Sequence, residues 1–164
     1  MFSGMSPFTT FHVLLSLIGI LSGFVVLFGL LAARRLNAWT AWFLTTTVLT
    51  SVTGFLFPFH RLLPSHILGI LSLILLTVAI YARCGRKLTA AWSRTYAATS
   101  VLALYLNVFA LIVQLFQKVP ALKAAAPTQS EPPFKMTQLL FLLVFLILTI
   151  AATKQFRFDK LRIA

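Results

Sequence analysis

Few side chains in this sequence could do chemistry, and they stand far apart in a very apolar chain. The histidines are His12, His60 and His66, and the carboxylates are Glu131 and Asp159. His12 and His66 could ligate a b-type haem from two different helices, with glycines near each leaving room for the macrocycle. All three imidazoles could instead bind copper or zinc. His60 with Arg61 could meet a quinone oxygen or a lipid headgroup. Gln114 and Glu131 join these groups as candidate lining of a polar mouth, and Asn107 is a candidate ligand contact below it.

Most catalytic chemistries lack their parts. The two carboxylates are separated by an apolar run long enough to span a bilayer, so they cannot work as an acid–base pair within one chain. No serine stands in a nucleophile motif, and there is no phosphate-binding glycine loop or dinucleotide fingerprint. Cys84 is the single cysteine, which excludes an internal disulfide or a thiolate cluster. It lies in the basic loop Arg83-Cys84-Gly85-Arg86-Lys87, and a reduced thiol is expected there. Catalysis without a cofactor is not expected from these residue types.

The elements that must position these groups are set by composition. Of 164 residues, 60% are hydrophobic and 10% charged, with mean hydropathy +0.97. A soluble domain carries about 25% charged residues, so the chain is predicted to live in lipid. A bilayer core about 30 Å thick takes about 20 helical residues. Five runs qualify, at about 11–33, 39–58, 65–82, 95–117 and 136–153, with an external loop over 118–135. The predicted fold is therefore all-α: one integral membrane domain with five transmembrane helices. The runs are continuous rather than alternating, so strands are excluded. Residues 1–11 carry no Lys or Arg, which argues against a cleaved leader.

Net charge is +12, and its placement predicts orientation. One side holds Arg34, Arg35, Arg83, Arg86, Lys87, Arg94, Lys154, Arg157, Lys160 and Arg162. The other holds Arg61, Lys118, Lys123 and Lys135, so ten of the 14 basic residues share a side. The positive-inside rule puts the richer side in the cytoplasm, with the N-terminus out and the C-terminus in. All three histidines then fall at the external ends. The basic loops are expected to meet anionic headgroups. No basic face with interleaved aromatics exists outside the spans, so no nucleic-acid partner is expected.

Helix faces are legible as well. Gly19 and Gly23 form a GxxxG on one stripe of the first run with His12 and Ser16. Thr46, Thr50 and Thr53 belong to a polar sector of the second. Tyr96, Ser100, Ala103, Asn107, Ala110, Gln114 and Gln117 repeat at alternating steps of four and three in the fourth. A carboxamide in hydrocarbon costs several kcal/mol unless hydrogen-bonded (about 4–8 for transfer to a solvent without partners). Asn107 must therefore point inward, plausibly at the hydroxyls of the second run. The first four spans are expected to form the bundle, and the fifth, with little polar patterning, to lie at its periphery against lipid or a partner subunit.

The stretches TGFLFPFHRLLPSHILG (53–69), ALYLNVFALIVQLFQKVPAL (103–122) and APTQSEPPF (126–134) resemble a group of small multi-spanning bacterial inner-membrane proteins. The likeness covers roughly residues 30–155. It implies placement in the bacterial inner membrane and carries no activity or site residues with it. The general shape is also similar to haem-bearing membrane electron carriers, in architecture only. Three readings follow. The first is an accessory or interaction subunit, or a homo-oligomer, with an outward mouth for a small ligand or lipid. The second is a redox module holding haem b or a quinone through the external histidines. The third is a passive channel or carrier lined by Thr46, Thr50, Asn107 and Gln114.

Overall fold

The structure, a computed structural model, describes residues 6–57 and 64–157, with the side chains of Pro64 and Ser65 left out. His60, Arg61 and Asp159 lie outside these residues. The described chain forms helices α1 (Pro7–Leu31), α2 (Asn37–Gly54), α3 (Pro64–Ile80), α4 (Trp92–Lys118), α5 (Pro120–Ala125) and α6 (Pro132–Gln155), and it contains no strand. A π-turn, Tyr81–Gly85, prolongs α3.

Helix ends are decided by capping chemistry rather than by the limits of the apolar runs. Ser6 accepts a hydrogen bond from the Thr9 amide at 3.2 Å, and Pro7 follows in the first turn, so α1 begins at Pro7 rather than near residue 11. Prolines at the start of α5 and α6 act the same way, because their missing N–H would have had no helical partner. The loop expected over 118–135 accordingly contains the short helix α5. The last turn of α2 closes at Gly54.

Four stretches are long and apolar enough to cross a membrane: Pro7–Leu31, His66–Gly85, Trp92–Lys118 and Pro132–Gln155. The second expected span, now α2, is not among them. The reason is its composition: Asn37 and the threonines at 40, 45, 46, 47, 50 and 53 dilute its apolar residues.

The helices α1 to α4 pack as a ring, each touching the next, with α4 closing on α1. Helix α6 lies outside this ring against α4, with a smaller contact to α1. Two glycines permit the closest approaches. A Cβ on Gly23 would lie 2.6 Å from Leu104 Cδ1 and 3.0 Å from the Phe43 ring, so α1, α2 and α4 meet there. A Cβ on Gly29 would lie 2.7 Å from Leu36 Cδ1, so the α1–α2 connection can fold back on α1.

Helix α4 is buried at Tyr96, Ser100, Ala103 and Asn107, but Gln114 and Gln117 are exposed. A period of 3.5 drifts by about 20° per heptad against a straight helix. By the outer turns burial has passed to Val108, Ile112 and Phe116, and Phe116 meets Phe134 of α6 with ring centroids 5.3 Å apart.

Candidate functional site

Polar side chains gather at three levels of the bundle. At the end where α2 finishes, His12 Nδ1 and Thr53 Oγ1 share a hydrogen bond of 2.8 Å. The same imidazole meets the Phe57 ring edge-on at 5.1 Å. His66 is 4% exposed and stacks on Phe55 at 5.7 Å. The two imidazoles thus approach the end of α2 from the α1 side and the α3 side, through different residues.

That arrangement bears on haem and metal chemistry. Both imidazoles pack against the end of α2, His12 on Thr53 and Phe57 and His66 on Phe55. Among the described residues no group of three or more His, Cys, Asp or Glu side chains is placed to hold a metal ion. His60 and Arg61, on which the three-histidine and quinone readings depend, fall outside those residues.

Gln114 is exposed, and Glu131 is spent on its own turn. Its Oε1 accepts from the Thr128 amide at 3.2 Å and the Thr128 hydroxyl at 2.8 Å, and its Oε2 from the Ser130 amide at 3.0 Å. Slight desolvation works upward on this carboxyl, but the bonds from Thr128 and Ser130 hold it below the usual carboxylate range. Gln129 and Gln138, which carried no signal in the sequence, tie this end together. They donate to the Val113 and Phe109 carbonyls of α4 at 3.0 and 3.5 Å.

The middle level is a set of contacts between helices. Asn107 Nδ2 donates to Thr47 Oγ1 at 3.3 Å, and Ser51 donates to Ser72 at 3.2 Å. Thr46 and Thr53 turn back on the carbonyls of Trp42 and Leu49 at 2.7 Å. Thr47 is 0% exposed and Asn107 8%, so no water-sized space adjoins the threonine. Asn107 with Thr47, and Ser51 with Ser72, thus bridge neighbouring helices. Thr50 Oγ1 and Ser100 Oγ are buried without a hydrogen-bond partner.

The opposite end is where arginines collect. A shallow, open recess that encloses no water-sized space is lined by Arg34, Arg35, Arg83, Thr40 and Tyr96 over a floor of Val26, Leu30, Leu36 and Phe156. Tyr96, 1% exposed, donates its hydroxyl to Thr40 at 3.3 Å. Arg83 donates to Asn37 Oδ1 at 2.6 Å, and its guanidinium carbon sits 5.6 Å from the centre of the Tyr96 ring. Sequence reading used these arginines as markers of topology and as general contacts for anionic headgroups, without placing them together. The signal for the recess was that the α1–α2 and α3–α4 connections lie at the same end.

Fold and geometry together define a class: an all-helical bundle with four helices capable of crossing a membrane and with polar side chains buried between helices. The chain matches no family model, no curated protein and no solved structure.

Proposed function

We propose that this chain is a non-catalytic, polytopic protein of a bacterial-type inner membrane, acting there as an accessory or interaction subunit. It crosses the membrane five times, with the N-terminus outside and the C-terminus in the cytoplasm. Helix α2 is the fifth span, carried in lipid because its hydroxyls bond to their own backbone or to neighbouring helices. The bias of Lys and Arg toward the arginine end supports the orientation. Exposed Trp39 and Trp42 at that end fit an interfacial belt.

The observation that carries the reading is α6. Only Phe145 and Ala152 of this helix are buried. Met136, Leu139, Leu140, Leu143, Val144, Leu146, Ile147 and Ile150 are all exposed. At 100° per residue they cover a face about 160° wide, open to lipid or to another subunit. The test is crosslinking in native membranes with Ile147→Cys in a Cys84→Ser background. We expect a discrete species larger than the single chain, with the same yield lost when the cysteine is moved to the α4-facing position Phe145. Recovery of the single chain alone from native membranes, at crosslinker levels that fully consume the thiol, would refute the interaction role.

A further inference from the structure

We propose that the recess at the arginine end is a binding site for a phosphate oxyanion, supplied by the headgroup of an anionic phospholipid. The site stands on its own geometry; only the lipid source of the phosphate rests on the membrane reading.

Cations from two separate connections meet there. Arg34 and Arg35 come from the α1–α2 link, which is pinned by the Arg34 amide donating to the Gly29 carbonyl at 2.8 Å. Arg83 comes from the π-turn after α3 and is the oriented member. Asn37 takes one of its nitrogens and the Tyr96 ring lies against its guanidinium. Among the described residues no hydrogen bond takes its other N–H donors, which stand in the fixed fork that suits phosphate oxygens. Between the cations lies the start of α2. Its first helical amide bond runs from Thr40 to the Leu36 carbonyl at 2.9 Å, and Leu36 supplies no side-chain cap. The amides of Asn37, Ala38 and Trp39 therefore precede the ladder and add to the positive field.

Behind the recess, Thr40, 2% exposed, accepts the Tyr96 hydroxyl proton and so holds the ring that lies against Arg83. Among the described residues no carboxylate is at this end; Glu131 sits beyond the far end of α4. The recess encloses no water-sized space and its floor is apolar, so a phosphate would rest across the arginine rim, with the rest of the lipid outside.

The experiment uses the whole protein in neutral detergent, titrated with short-chain phosphatidylglycerol and, separately, with inorganic phosphate. Bound ligand per chain is read by native mass spectrometry. The expected result is saturable binding of one lipid per chain, weakened tenfold or more in Arg34→Gln/Arg35→Gln/Arg83→Gln. The control Arg86→Gln/Lys87→Gln/Arg94→Gln removes equal charge from the same end and is expected to stay within twofold of the parent. If the first triple variant fails to fold, Arg34→Gln/Arg35→Gln and Arg83→Lys replace it, each expected to lose at least threefold. Equal loss in the control would overturn the proposal, because it would reduce the effect to diffuse charge. So would binding that appears only after Asp159→Asn, because the tail would then be the occupant. Inorganic phosphate binding as tightly as the lipid, and lost in the same variants, would uphold the site with soluble phosphate as its source. Failure of the α6 crosslink leaves every one of these readouts intact.

Discussion

Asn107 shows how a single amide can be kept in an apolar bundle. Its nitrogen has a partner in Thr47, and bonds of this kind between membrane helices are worth about 0.6 kcal/mol on average and up to about 2. Asn107→Leu is therefore expected to lower stability by no more than about 2 kcal/mol, read as reversible unfolding in mixed micelles. The freed Thr47 hydroxyl can turn onto the carbonyl one turn earlier, as Thr46 already does. A double-mutant cycle with Thr47→Val should return a coupling of about 0.5–1.7 kcal/mol. Zero coupling would mean that the contact is incidental. Nothing in this pair asks for a transported solute, and solute flux in proteoliposomes is expected to be indifferent to the substitution.

At the scale of the helix, the approach of α1 to its neighbours is set by glycine. Gly23→Leu forces a side chain into space already held by Leu104 and Phe43, and overpacking of this kind costs about 1–3 kcal/mol or more. Gly23→Ala should cost less, because Leu104 presents only the end of its side chain. Gly54→Ala should be nearly silent, since among the described residues its Cβ would meet nothing nearer than His12 Cε1 at 3.7 Å. Thermal unfolding of the three variants in one detergent checks the order; a Gly54 variant as damaged as Gly23→Leu would contradict this packing. The same elements show what could be read from residues alone. Asn107 opposite the threonines of α2 followed from the cost of an unbonded amide in lipid. Gln114 did not fit, because a strict 3.5-residue stripe slips off the buried face over three heptads. Glu131 was out of reach of any such argument: its partners are three and one residues away in a turn whose shape the pattern does not encode. The arginine recess was hidden for a related reason, being assembled from two loops some fifty residues apart.

For the whole molecule, the asymmetry between its ends is the dominant feature. One end bears His12 and His66, the other is arginine-rich, and the five-span reading turns that difference into a direction. A reporter that is active only in the cytoplasm, fused after Ala164, should be active, and the same reporter inserted in 126–130 should be silent. Moving the charge bias by placing four lysines before Pro7 should reduce that contrast. Equal activity at both positions would mean that α6 does not cross the membrane.

Helix α2 has a consequence for how the protein is made. Its threonines leave it too polar to be retained by lipid on hydropathy alone, whereas α1 before it is strongly apolar. The link between them is short and folded back through Gly29 and Leu36, and α1 packs more closely on α2 than any other pair in the chain. On the five-span proposal, the unit that leaves the insertion machinery is the α1–α2 hairpin rather than either helix. A nascent chain stopped after residue 57 would already hold its least lipid-soluble helix in place, while an α2 severed from α1 would slip back into water.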